Sequence, residues 1–441
     1  MFDLEALSKT AARAAQRVVS ELAGKLATAG DAAALDQEFR AAWLAAGEVV
    51  VGGLVRELAR QQAATRRCDC PECGKPARFK QMRPCTVRTV LTGQPTEVPS
   101  PYFVCSDCKR GVLGLRVALG LDADGFTRGL REMSVRAGVL EPFESAAEEV
   151  LGRLAGVSVS GSKIHDLCQA SGERACKMMD DGCLGTLEPV AHGGQVVVQL
   201  DGGMLRIDGE WREAKLGIVY PLAAVSAVSK DRRMLVERKA VSTLGDPESL
   251  GRVLYPAVEA MLPKDADGRP HILGNVHVLG DGAVWIAKLI DEILPGARYL
   301  LDWYHAAEHI AQTALALFDD EGARRRWSSH QKNLLMTGRV SALLRGLARE
   351  TMQRKAGSEA QERLSALHRY FNERSDQLWY AEARRKGLPI GSGVVESANS
   401  HVLQQRMKRN GMRWTGGGAR AMAALRCAYR STGGMDALFA A

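Results

Sequence analysis

Two short apolar runs constrain this chain more than any other feature, because both end in the same way. Val196–Leu200 (VVVQL) runs into Asp201 and two glycines, and Val276–Leu279 (VHVL) runs into Gly280, Asp281 and Gly282. Runs this short and this rich in valine read as strands buried in a core. A carboxylate at the end of such a strand sits at the rim of a sheet, and the glycines behind it leave room for another backbone to come close. Two rim carboxylates, 80 residues apart, suggest a metal site.

The segments around these runs follow a definite order. QVVVQLDG is followed by WREAKLGIVYPLAAVSAV and RRMLVERKAVST, then by the helical period of DPESLGRVLYPAVEAML, strand HILGNVHVLGDG, helix AVWIAKLIDEIL and strand ARYLLDWYH. Three β segments, a helix, a strand, a helix and a strand is the order of a ribonuclease H-like domain. Its first and fourth strands lie side by side, so Asp201 and Asp281 are expected to converge. From about residue 306 to 385 the chain reads as helix, and a glycine loop, LPIGSGVVES, then leads into a helix carrying Glu396. Asp201, Asp281 and Glu396 form a set of hard oxygen ligands suited to two Mg²⁺ or Mn²⁺ ions acting on an in-line displacement at phosphorus. One such Asp alone is more simply a turn cap. Three in this strand order, beside a basic tail, favour the metal.

The formal charge of +8 is unevenly distributed. From Glu321 onward 22 Lys and Arg oppose 9 Asp and Glu, so this end carries +13 and the first 320 residues carry −5. Between Ser397 and Met435 there are seven Lys and Arg and no acid, the pattern of a surface that meets phosphates. Arg406, Lys408, Arg409, Arg413 and Trp414 are the DNA-contact candidates, on a basic C-terminal helix; the plainer reading is a solvated helical face. No apolar run reaches the roughly 18 residues of a membrane span, and Asp3, Glu5 and Glu21 argue against a transit peptide. A cytoplasmic protein with no membrane partner is expected.

Four of the ten cysteines form two pairs, CPEC (Cys70, Cys73) and CSDC (Cys105, Cys108), separated by 31 residues of β-hairpin character. This is the arrangement of a zinc ribbon, in which four thiolates hold one structural Zn²⁺. Two disulfides are the alternative, but nothing in the sequence indicates export. Cys68 and Cys85 lie close enough to compete as ligands. Cys168, Cys176, Cys183 and Cys427 read as buried small apolar residues.

These markers define a multidomain α+β chain. An N-terminal helical region (1–65) precedes the zinc ribbon (66–115). A helical segment (116–190) follows, in which FESAAEEVLGRLAGVSVSGSKIHDLCQASGERA has the form of a DNA-binding helix-turn-helix, although any helical hairpin looks similar. Then come the first part of the ribonuclease H-like catalytic core (191–310), an all-helical insertion (311–386), and the completion of the core with Glu396 and the basic helix (387–441).

LDGGMLRIDGEWREAKLGIVYP, VLGDGAVWI, YLLDWYHAAEHI and IGSGVVESANSHVLQQRMKRNGMRW, with YFVCSDCKRG upstream, resemble the signature blocks of bacterial insertion-sequence transposases of the ISKra4 family. These are DDE enzymes with a ribonuclease H-like core, and the likeness runs from about residue 68 to 430. It implies Asp201, Asp281 and Glu396 as the metal-binding triad. It also implies binding of terminal inverted repeats, strand cleavage that frees a 3′-OH, and attack of that hydroxyl on target DNA. A nucleoid-associated homodimer or larger homo-oligomer follows, since strand transfer needs two DNA ends held together.

Asp302 and His305 form a DxxH on the last strand, similar to the (C/D)xxH signatures of related eukaryotic transposases. That likeness implies a supporting catalytic role, orienting DNA or shuttling a proton; a histidine merely satisfied by its neighbour Asp302 is the alternative. Two other functions compete. His305, Glu308 and His309 fit the HxxEH of inverted-motif zinc metallopeptidases, although such a motif belongs inside a helix and His305 directly follows the β run RYLLDWY. A domesticated repressor would keep DNA binding and lack cleavage.

Overall fold

The computed structural model describes residues 4–26, 32–229, 233–409 and 411–440. The chain divides into two units, Met1–Cys168 and Gln169–Ala441.

In the first unit a helix, Leu4–Leu26, packs on a longer one, Ala32–Thr65. The longer helix lies against an antiparallel sheet of β1 (Arg67–Asp69), β2 (Pro76–Val87), β3 (Thr96–Cys105) and β4 (Gly111–Leu113), in that order. Val55 and Ala59 of the helix share a core with Cys85, Val87, Val98, Leu115 and Leu121. The longer N-terminal helix, featureless in sequence, thus covers an apolar sheet face that would otherwise meet water. Further on, the helix Phe143–Ser145 continues as a π-helical stretch, Ala146–Ala155, and stops at Gly156, whose φ of +71° is left-handed. Ser160 Oγ then accepts the Lys163 N–H at 3.3 Å and caps the helix Gly161–Asp180, within which the division between the units falls.

The second unit is built on a five-stranded sheet. Its strands are β5 (Val196–Ile207), β6 (Glu210–Pro221), β9 (Lys239–Leu244), β10 (Val276–Gly280) and β11 (Arg298–Leu301), while β7 (Val225–Ala227) and β8 (Arg233–Leu235) form a separate ribbon. The segment expected as a single third strand is therefore divided between β8 and β9. The sheet order is β11-β10-β5-β6-β9; β5, β6 and β9 are antiparallel, and β10 and β11 run parallel to β5. Asp208 and Gly209 close the β5–β6 hairpin with φ of +52° and +85°, the positive pair that a two-residue turn matched to strand twist requires. Leu279 pairs with Gln199 in the β10–β5 ladder. Two residues further along each chain stand Asp281 and Asp201.

Helices cover both faces of this sheet. A Cβ at Gly217 would meet Leu200, Val241 and Leu254, the last on the helix Pro247–Glu259; a Cβ at Gly203 would meet Asn399 and Leu403. Those two residues belong to a helical run made of Gly393–Asn399, a π-helical turn Ser400–Gln404, and Gln405–Met407. Between β11 and that run the described residues contain no strand: the helices are Trp303–Leu317, Glu321–Met336, Val340–Met352, Glu359–Asn372 and Tyr380–Arg385.

Two expectations need correction. The DxxH is not on a strand, because β11 ends at Leu301 and Asp302 caps the next helix, its Oδ2 accepting the His305 N–H at 2.8 Å. The basic residues do not share one helix either. Helical structure stops at Met407, the described residues 408–409 and 411–414 are not helical, with Trp414 bridged to Ile207, and a new helix, Gly416–Arg430, starts beyond a Thr415 cap. Among the described residues, no helix is long and apolar enough to cross a membrane.

Candidate functional site

The middle of β5, the end of β10, the start of the helix Trp303–Leu317 and the run from Gly393 bring five sequence-predicted residues into one region; Asp201 lies within β5, paired with Leu216, because the strand continues to Ile207 instead of stopping at the carboxylate. Asp302, His305 and Glu396 form the tightest group, with ligating atoms within 4.8 Å of one another. Asp302 is fully buried; its Oδ1 accepts the Ser392 N–H at 2.6 Å, and its Oδ2 accepts the backbone N–H and Nδ1 of His305 at 2.8 and 3.0 Å. Burial alone would raise the Asp302 pKa, yet these donors hold it below the usual carboxylate value. The His305 pKa is raised, first by the Asp302 hydrogen bond and then by the charges of Asp302, Asp281 and Glu396. Glu396 is exposed, and its Oε1 accepts the Ser392 hydroxyl at 3.0 Å.

Asp201 and Asp281 stand outside that group but within reach of its charge. Burial raises the Asp201 pKa, two donors oppose the rise, and Asp281 and Glu396 add to it. The donors are Gly202 N to Oδ1 at 2.8 Å and Asn399 Nδ2 to Oδ2 at 2.7 Å. Asp281 Oδ1 accepts the Ala283 N–H at 2.9 Å. Among the described residues the metal-capable group at this place takes in Glu396 but neither Asp201 nor Asp281, so the three carboxylates of the expected triad are neighbours and not one cluster.

Asn399 was not singled out from sequence, although a signal existed: it lies three residues after Glu396, on the same side of a helix. The structure also changes the meaning of the glycines after Asp201. A Cβ at Gly203 would lie 2.7 Å from Asn399 Oδ1, and one at Gly202 would collide with the Glu213 carboxylate. The space they leave is filled by this chain's own side chains, not kept for a nucleic-acid backbone.

In the first unit Cys70, Cys73, Cys105 and Cys108 form a cluster that could bind zinc. Their sulfurs are 3.5 Å (Cys73–Cys105), 3.6 Å (Cys70–Cys108) and 3.8 Å (Cys73–Cys108) apart. A tetrahedron with Zn–S bonds of about 2.3 Å has edges of about 3.8 Å, whereas a disulfide needs about 2.05 Å. Backbone N–H groups of Cys108 and then Asp107 are among the influences that lower the Cys105 thiol to about 7. Cys68 and Cys85 stand outside the cluster, Cys85 in the helix–sheet core, and burial raises both pKa values. Cys168 and Cys427 are buried as expected; Cys176 is half-buried and Cys183, just beyond the helix that ends at Asp180, is exposed.

The basic candidates separate by exposure. Lys408, Arg409 and Arg413 are exposed, and Lys408 Nζ sits 5.4 Å over the exposed ring of Trp211. Arg406 is only 1% exposed, with its guanidinium 5.4 Å over the Trp414 ring and Nη1 3.5 Å from Met412 Sδ. It is a core residue and is withdrawn from the phosphate-contact set. Trp414 is half-buried and its indole N–H is bound to Met407 O at 3.0 Å. Buried Arg426, also unremarked in sequence, donates to the carbonyls of His401 and Val402 at the π-helical turn. A turn wound wider than an α-helix displaces carbonyls from their usual partners.

HxxEH does lie inside a helix, so the objection from strand position falls. Another takes its place: among the described residues His309 joins no metal-capable group, and its ring stacks on Tyr370 with centroids 4.2 Å apart.

Residues 264–438 match the model of an uncharacterised protein family, UPF0236. This span takes in Asp281, Asp302, His305 and Glu396, and leaves out Asp201 and the four-cysteine cluster. No curated protein matches the chain.

Proposed function

We propose that the chain is a DDE-type DNA transposase that binds terminal inverted repeats and catalyses DNA strand cleavage and strand transfer. One observation carries this reading: β5 and β10 run parallel and adjacent, each delivering a carboxylate just beyond matched register, while a helix on the same side supplies Glu396 and ties its Asn399 to Asp201. The order β9-β6-β5-β10-β11, with only the last two parallel to β5, supports reading the domain as ribonuclease H-like. The resemblance to ISKra4-family transposases points the same way.

Asp201, Asp281 and Glu396 would hold two Mg²⁺ or Mn²⁺ ions, which when bound supply positive charge to the attacking and leaving oxygens of an in-line displacement at phosphorus. The donor set fits, being oxygen-only and mutually repelling. The chain's own residues do the rest. Asn399 orients Asp201. Asp302 occupies His305 Nδ1 and leaves Nε2 to hold or release a proton, and the raised pKa favours the protonated form that can assist a departing 3′-oxygen. In cleavage, water attacks the phosphodiester, the P–O3′ bond breaks and a 3′-OH is freed. In transfer, that 3′-oxygen forms a new P–O bond with target DNA and a target 3′-oxygen leaves. Lys408, Arg409 and Arg413 meet DNA phosphates, the four cysteines hold a structural zinc, and two copies of the chain bring two ends together.

The test is Mg²⁺- or Mn²⁺-dependent nicking of a labelled inverted-repeat duplex, with binding measured separately in Ca²⁺. Asp201→Ala, Asp281→Ala and Glu396→Ala should each abolish nicking and preserve binding, since affinity comes mainly from basic residues on phosphates. Full nicking by Asp281→Ala overturns the mechanism. End binding with no nicking by the parent protein indicates a repressor, and proteolysis lost in Glu308→Gln indicates a peptidase.

A further inference from the structure

The geometry points to the helical insertion as the element that holds Asp281 in position, through Tyr370 and Arg374 as positioning residues. This inference rests on reading Asp281 as a metal ligand.

Asp281 lies in a turn between β10 and the helix Val284–Ile293, and the next residue, Gly282, has a φ of +89°. A lone carboxylate just past a strand end would sample several positions. Here four hydrogen bonds restrict it. Asp281 Oδ1 accepts from Ala283 N, and Gly282 N donates to the Tyr299 hydroxyl at 3.0 Å. The other two come from the insertion: the Tyr370 hydroxyl donates to Asp281 O at 3.2 Å, and Arg374 Nε donates to Gly282 O at 3.0 Å. Both carbonyls of the turn are thus held by side chains about ninety residues away in sequence.

The contact is close as well as polar. A Cβ at Gly282 would come within 2.7 Å of Leu301 Cδ1 and 3.0 Å of both Arg374 Nε and the Tyr370 hydroxyl. The two donors also brace each other: the Arg374 guanidinium sits 4.4 Å over the Tyr370 ring, and its Nη1 donates to Tyr370 O at 3.2 Å. The Tyr370 ring also lies against His309, one turn along the helix from His305. One turn of the insertion therefore touches the backbone of the second carboxylate and the helix that begins with Asp302 and His305. A phenol and a guanidinium partly withdrawn from water to serve two turn carbonyls go beyond what closing a surface loop requires.

The experiment uses the full chain with Mn²⁺ alone as probe. Tyr370→Phe keeps the ring on His309 and removes the hydroxyl; Arg374→Lys keeps the charge and removes the Nε donor. Thermal unfolding close to the parent's establishes that each variant folds, and Asp281→Ala sets the loss expected when the ligand itself is gone. Both positioning variants should need about tenfold more Mn²⁺ for half-saturation, the effect of roughly one hydrogen bond. In the metal-free protein, amide exchange over residues 281–285 should accelerate by about the same factor. Parent-like Mn²⁺ affinity in both variants overturns the inference, even with faster exchange, because the insertion would then brace the turn without serving the carboxylate. Unchanged Mn²⁺ binding in Asp281→Ala overturns it as well. Normal Mn²⁺ responses in a protein that nicks no DNA count against the transposase reading alone and leave the positioning role supported.

Discussion

Replacing Asn399 by Asp puts a second carboxylate where the structure has the amide that steadies the first. Asn399 Nδ2 is 2.7 Å from Asp201 Oδ2 and 3.1 Å from Gly202 O, and the side chain is only 6% exposed. The pKa of Asp201 is already raised by burial. The stability contributed by such a group is therefore fully present below the ordinary carboxylate range and is lost as pH rises through the folded-state value. Asn399→Asp should deepen that loss. Two carboxylate oxygens at about 2.7 Å repel by roughly 6 kcal/mol at an effective dielectric of about 20, so the pair keeps one proton instead of separating. Keeping it costs about 1.4 kcal/mol for each pH unit above the ordinary carboxylate range, until the pH reaches the raised pKa of the pair. Thermal unfolding of the full chain from pH 4 to 7 should show the variant near the parent at the acid end and falling progressively behind it, with Mn²⁺ restoring more stability to the variant than to the parent. Asn399→Ala should instead lose about 1.5–3 kcal/mol at pH 7, the worth of a hydrogen bond to a charged group, and less at pH 4. Parallel pH curves for Asn399→Asp and the parent would refute the reasoning.

Freshly purified protein should contain one zinc per chain, and Cys73→Ser should lose it together with the order of the sheet around Cys70, Ala77, Phe103 and Cys105; absence of zinc by elemental analysis counts against the site. Arg406→Ala should lower the unfolding temperature because it empties a buried position, whereas Arg413→Ala should leave stability unchanged and reduce the salt slope of DNA binding by about one unit. A phosphate role for Arg406 is restored if its variant unfolds like the parent and shows the flattened slope. The raised pKa of His305 implies stability that is present below the ordinary histidine value and lost as pH rises through the folded-state one. Asp302→Asn should bring the His305 titration, followed by NMR of the ring protons, down toward the ordinary value; an unchanged titration means the hydrogen bond does not set it.

The sequence by itself determined the features that depend on local spacing. Two CxxC knuckles and the hairpin between them identified the four cysteines that cluster, because a knuckle is made by neighbouring residues. Alternating strand and helix periods placed the strand of Asp201 beside that of Asp281, and the unbroken helical period from about 306 announced helices where helices are found. Contacts between distant segments were not legible. Asn399 meets Asp201 across 198 residues, and Tyr370 meets Asp281 across 89. Apart from the place of Asn399 three residues after Glu396, neither differs in sequence from any other polar residue on a helix. Arg406 looked like one more member of a basic run, because charge counting does not reveal that the helix stops at Met407 and folds its last turn into the core. Hydrophobic period reports which side of an element faces inward; which polar group is waiting there is fixed only when the elements pack, and that packing decided what the glycines admit, which arginines stay exposed and how the carboxylates are held.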